Sequence, residues 1–124
     1  MQALVLKQNF FTELGSRLFG RPYRSILVQE SPLAGFDHHQ GNDIWRSLKE
    51  GKALRLVRER DNPHDHYATA IYFRNTKLGY VPRKENKMPA RFIDEGRSLK
   101  ASIVRLTDDE NPWERVRFRV DMEI

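Results

Sequence analysis

The chain reads as a mainly β domain, with six strands forming a small barrel or a strongly curved sheet and two short helices beside it. Three observations predict this. Runs of five to ten β-favouring residues are separated by short turn signals. The last ten residues, 115–124, alternate apolar and polar side chains. Beyond the N-terminal segment, helical readings are confined to two short stretches, 42–51 and 84–96.

In chain order, residues 2–19 carry Leu6, Phe10, Leu14 and Leu18 at a spacing of four, one stripe of a helix. Residues 1–24 therefore read as an N-terminal extension, helical or extended, that ends at Gly20-Arg21-Pro22; the domain proper spans 25–124. Residues 25–31, SILVQES, are the first strand. PLAGFDHHQG, 32–41, is loop-like. NDIWRSLKEG, 42–51, reads as a short helix capped by Asn42, with Ile44, Trp45 and Leu48 on its apolar face and Gly51 as its stop.

Strands follow at 53–60, 68–74 and 77–82, and Asn75-Thr76 joins the last two in a tight hairpin. The second helix lies within 84–96. Pro89 is tolerated in its first turn, Phe92 and Ile93 face the core, and Gly96 ends it. Residues 98–106 form a strand and 108–114 a polar turn. In the last strand Val116, Phe118, Val120, Met122 and Ile124 share one face, opposite Arg115, Arg117 and Arg119.

With 124 residues the chain is long enough for one core. It has no cysteine, which removes disulfides, thiolate catalysis and cysteine-ligated zinc and fits a cytoplasmic setting. No apolar run approaches the roughly 20 residues of a membrane-spanning helix, and MQALVLKQNFF lacks the basic start and cleavage site of a signal peptide. The net charge of +5 favours an anionic partner, of which nucleic acid is the commonest large one. Arginines on the strands at 53–60 and 115–124 read either as solvated surface or as a ridge for phosphates. Tyr67, Tyr72, Tyr80 and Trp113 are candidates to stack on unpaired bases.

The stretch RERDNPHDHYATAIYF, 58–73, holds the densest chemistry. With Asp37, His38 and His39 it gathers histidines and aspartates, but no metal-ligand spacing accompanies them. No nucleophile motif and no phosphate loop is present either, so no metal, cofactor or catalytic residue is expected. On local chemistry Asn62-Pro63-His64-Asp65 is a β-turn. Asn accepts from a backbone N–H two residues on, and Pro presets φ at the next position.

The order of the pieces says more. LAGFDHHQG, then EGKALRLVRERDNPHDHYATAIYF, then KLGYVPRKENKMPARFIDEG, then LKASIVRL resembles a HIRAN domain from about Ser25 to Leu106. The most specific part runs through Gly51, Leu54, Leu56, Arg58-Glu59, Asn62-Pro63-x-Asp65 and Ala68 to Leu78-Gly79-Tyr80-Val81-Pro82-Arg83 and Asn86. The chain is similar to the small stand-alone bacterial members. The resemblance implies a six-stranded OB-like barrel. It also implies a non-catalytic module that binds single-stranded DNA and holds its 3′-hydroxyl end in a pocket.

Carried over position by position, the resemblance gives Asp65 the 3′-hydroxyl and places His64 where DNA-binding members have a stacking Tyr. It places His38 at a second stacking position, beside Asp37 where those members have a basic residue. Arg83 and Lys84 fall at a phosphate-contacting position, and Tyr80 lines the same region. Protonated His38 or His64 would attract phosphate, so affinity is expected to rise as pH falls below about 6.5. The first alternative is a protein-interaction or assembly module that has lost DNA binding, acting through a partner or self-associating by its N-terminal stripe. A metal-dependent nuclease built on the His/Asp group is a more remote one.

Overall fold

The computed structural model describes residues 24–124, so the expected N-terminal stripe lies outside the described residues. Six strands form one antiparallel sheet: β1 (Ser25–Pro32), β2 (Ala53–Arg58), β3 (Thr69–Phe73), β4 (Thr76–Tyr80), β5 (Leu99–Leu106) and β6 (Val116–Glu123). Their spatial order is β1-β6-β5-β2-β3-β4.

The sheet is strongly curved and is not closed into a barrel by a ladder. β2 pairs with β5 only at Ala53–Ser102 and Leu54–Ala101, then turns its remaining length onto β3 from Arg55–Tyr72 to Arg58–Thr69. Register shifts between Leu27 and Gln29, between Ile71 and Tyr72, and between Ile103 and Arg105 add bend. The two sheet ends meet at one point, where Ala34, just beyond β1, exchanges two 2.9 Å backbone hydrogen bonds with Tyr80 of β4. Gly79 makes that meeting possible. A Cβ there would sit 2.1 Å from the Ala34 carbonyl oxygen, closer than any side chain tolerates.

The alternation of β6 holds for Val116, Phe118, Val120 and Met122, which are buried, and stops before Ile124, which is exposed. With Leu33, Phe36, Leu54, Ile71, Leu78 and Ile103 they form the core.

The second expected helix is α1 (Lys87–Asp94), preceded by a separate 3₁₀ turn, Arg83–Glu85. Pro89 sits in its first turn and is buried with Ala90; Phe92 and Ile93 are only half-buried. Gly96, at φ 80°, ends it with paired bonds from Gly96 N–H to the Ile93 carbonyl and Arg97 N–H to the Phe92 carbonyl.

The first expected helix is different. It is a 3₁₀ segment, Gln40–Ser47, entered from His39 and kinked at Ile44, and Asn42 caps nothing. Packing overrides the α-period here. Phe36 and Trp45 meet edge to face at 5.8 Å, and Gly41 lies so close under Phe36 that a Cβ would fall 2.2 Å from its ring.

Candidate nucleic-acid interface

The loop after β2 is shaped by its own side chains. Asn62 Oδ1 accepts from His64 N–H at 2.9 Å and from Asp65 N–H at 3.2 Å, the bond two residues on that its position in the turn calls for. Asp65 repeats the device, its Oδ1 accepting from Tyr67 N–H at 3.0 Å. These two successive turns leave His64 exposed and Asp65 half-buried. Asn86 stands immediately before α1, where an N-cap would stand, yet its side chain points back across the fold. Its Nδ2 donates to Asp65 Oδ2 at 2.7 Å.

His64, Asp65, Tyr80 and Arg83 line one cavity of about 300 Å³, together with Asn62, Val81 and two alanines. Arg83 Nε lies 3.7 Å from Asp65 Oδ2, and Arg83 Nη2 donates to the His64 carbonyl. The Asp65 carboxylate is thus held by an amide, a backbone N–H and a nearby guanidinium, and it retains lone pairs toward the cavity. Two of the six expected residues are not part of the lining. His38 is exposed on the 3₁₀ turn Phe36–His38, with its Nε2 3.8 Å from Asp37 Oδ1. Lys84 is exposed on the turn that carries Arg83.

Four residues to which the sequence reading gave no DNA-binding role complete the surroundings. Asn86 is one. His39, rather than His38, packs edge to face on Tyr80 with ring centres 5.6 Å apart. Glu59 and Lys77 meet at the Tyr80 hydroxyl. Lys77 Nζ lies 2.7 Å from Glu59 Oε2, 2.6 Å from Tyr80 Oη and 4.4 Å from the ring centre. Burial pushes Glu59 up, but bonds from Lys77, Asn62 and Tyr80 outweigh it and hold the carboxyl below its ordinary value. Burial pushes Lys77 down, and its bonds to Glu59 and Tyr80 more than reverse that. The Tyr80 hydroxyl is raised by burial and by Glu59, against Lys77.

The arginine faces are mostly ion-paired. Arg117 meets Glu30 and Arg119 meets Asp121, each at 2.8 Å. Arg58 and Arg60 share Asp94 at 3.0 and 2.8 Å. Arg115 lies over Trp45 at 4.3 Å. Among the described residues no group of three or more His, Asp or Glu is placed to hold a metal, and no helix is long and apolar enough to cross a membrane.

The family model described as the HIRAN domain matches residues 26–124, nearly the whole described region. The chain belongs to the HIRAN family. A crystal structure of a protein from Lactobacillus plantarum is similar to it with a TM-score of 0.70 at 20% identity, covering 82% of this chain and 97% of that one. The crystal structure of the HIRAN domain of human HLTF is similar with a TM-score of 0.62 at 14% identity, covering 80% of this chain and 78% of that one. No curated protein matches the chain. At these identities the two structures speak for the fold alone.

Proposed function

We propose that this HIRAN domain binds single-stranded DNA without cleaving it and receives the 3′-terminal hydroxyl in the Asp65 cavity. The observation that carries the reading is the convergence of Asp65, His64, Tyr80 and Arg83 on one half-open cavity. Asp65 accepts a hydrogen bond from the hydroxyl. The exposed His64 imidazole stacks on the terminal base, Tyr80 walls the cavity, and Arg83, with Lys84 beside it, meets the phosphates. His38 takes a neighbouring base. Its turn packs beside the 3₁₀ turn Pro112–Glu114, whose Trp113 is exposed and offers the strand a further stacking surface. A net charge of +5 supports the anionic partner.

A fluorescence titration tests this. It compares a single strand, its duplex and a 3′-blocked single strand at two salt concentrations. Tightest binding to the free-ended single strand, weakening with salt, is expected; equal binding to all three sinks the reading.

A second reading, assembly with a protein partner or another copy, has one observation in its favour. Ile26, Leu27 and Ile124 are each exposed near the edge where β1 runs beside the end of β6. Light scattering on the full chain and on a chain starting at Pro22 separates the two. A monomer in both cases removes self-association.

A further inference from the structure

The Arg58-Glu59 pair belongs to the most specific part of the sequence pattern, yet neither residue lines the cavity. We propose that Glu59 is the positioning residue of the site, clamping the Asn62–Asp65 turn to the β3–β4 hairpin so that Asp65 and Tyr80 keep a fixed spacing. This rests on the reading of Asp65 as the hydroxyl acceptor.

The geometry is specific. Glu59 Oε1 accepts from Asn62 Nδ2 at 3.0 Å and from the Tyr80 hydroxyl at 2.8 Å, while Oε2 accepts from Lys77 at 2.7 Å. One carboxylate therefore holds the residue that shapes the turn and the residue that walls the cavity, and both of these line it. Asn62 is oriented by this bond. With its Nδ2 turned to Glu59, its Oδ1 faces the His64 and Asp65 amides. On the other side of the loop Arg58 donates to the Ala68 carbonyl at 2.9 Å, so the two adjacent side chains grip the loop at both ends. The Tyr80 hydroxyl is committed to Glu59 and Lys77. What it presents to a ligand is the ring, whose angle Glu59 sets.

A neutral amide cannot replace this carboxylate. All three partners present donors, and an amide offers one oxygen and an NH₂ group that must face at least one of them. Glu59→Gln is therefore the direct test, made in the full chain. Lys77→Met serves as the second variant, Lys77→Arg as its conservative rescue, and Arg117→Met as a control that breaks a half-buried pair elsewhere in the sheet.

Two readouts are taken. The first is amide hydrogen exchange at His64, Asp65 and Tyr67, referred to amides of β5 and β6. The second is the ratio of affinities for an oligonucleotide ending in a 3′-hydroxyl and one ending in a 3′-phosphate. In Glu59→Gln and Lys77→Met the three amides are expected to exchange faster, and the ratio to fall about tenfold, the worth of one charge-assisted hydrogen bond. Lys77→Arg restores both readouts, and Arg117→Met leaves both unmoved. Unchanged exchange at the three amides overturns the proposal. So does an undiminished ratio in a wild type that discriminates the two ends. A wild type that does not discriminate them defeats the reading of Asp65 instead, and the exchange rates then decide the role of Glu59 by themselves.

Discussion

Asp65 and Asn86, 21 residues apart in sequence, are joined by a 2.7 Å hydrogen bond that brings the loop after β2 onto the start of α1. Asn86 is almost wholly buried and spends its amide on Asp65 instead of on the helix. The carboxylate proposed to receive the 3′-hydroxyl is thus fixed by a buried side-chain amide. Under the proposed function, recognition and local packing share this bond.

The first prediction separates those two roles. Asp65→Ala is expected to reduce the preference for a free 3′-hydroxyl over a 3′-phosphate, because the acceptor is gone and the phosphate never needed it. Equal loss for both ends argues against the role. Asn86→Ala removes a buried donor from a carboxylate and is expected to cost about 1–3 kcal/mol of stability, read from the midpoint of a denaturant melt.

The second concerns the phosphate path. Arg83 is mostly exposed and only loosely paired with Asp65, at 3.7 Å, whereas the β6 arginines are tied to Glu30 and Asp121. Arg83→Gln is expected to lower single-strand affinity and to reduce the slope of log K against log salt by about 0.7, one counterion released from a single strand. Arg117→Gln is expected to leave the slope as it was. The same titrations over a salt series measure both.

Much of this arrangement was legible in the sequence. The β6 alternation, the Gly96 stop and the Asn62 turn each depend on residues within a few positions of one another, and local chemistry suffices to read them. The Gln40–Ser47 segment was not legible. Its conformation is set by Phe36 closing over Gly41 and by Arg115 lying over Trp45, contacts that spacing alone does not reveal. The arginine ridge looked available for phosphate because Glu30 and Asp94, which neutralise much of it, lie far away in sequence. Glu59, Asn86 and Lys77 escaped for the same reason. Each acts across the fold, and the first two stood in the sequence pattern without a role attached to them.

The third prediction is a pH dependence of binding. Affinity is expected to rise between pH 8 and 5.5, because protonated imidazole at the exposed His38 and His64 adds positive charge beside the phosphates. Asp37 beside His38, and Asp65 and Arg83 beside His64, are among the charges near these rings. His39 is excluded from the effect. Burial, then Lys77 and His38, lower its pKa against the opposing pull of Glu59 and Asp37, so it takes up a proton less readily than an ordinary imidazole. The double variant His38→Gln, His64→Gln is expected to flatten the profile, and His39→Gln to preserve its shape. A wild-type affinity that does not change across the range sinks the prediction.

The fourth is a pH dependence of stability. Asp94 at the end of α1 receives Arg58 and Arg60 from β2 and the loop after it, and these bonds, Arg58 first, draw its pKa down from 3.8 to about 2. A carboxyl lowered by folding stabilises the folded state wherever it is ionised in both states. That contribution is present in full above the unfolded value and disappears as pH falls through the folded one. The window is therefore about pH 4 down to 2. Within it the wild type is expected to lose stability more steeply than Asp94→Asn, and above it the two are expected to run parallel, the variant lower. Denaturant melts at half-unit steps from pH 6 to 2 measure the difference. The attachment of α1 to β2 is the part of the fold that this titration reports on. If Asp94→Asn loses stability as steeply as the wild type between pH 4 and 2, the acid sensitivity lies elsewhere, and the Glu59 carboxyl, also lowered but ringed by Lys77, Asn62 and Tyr80, is the next group to replace.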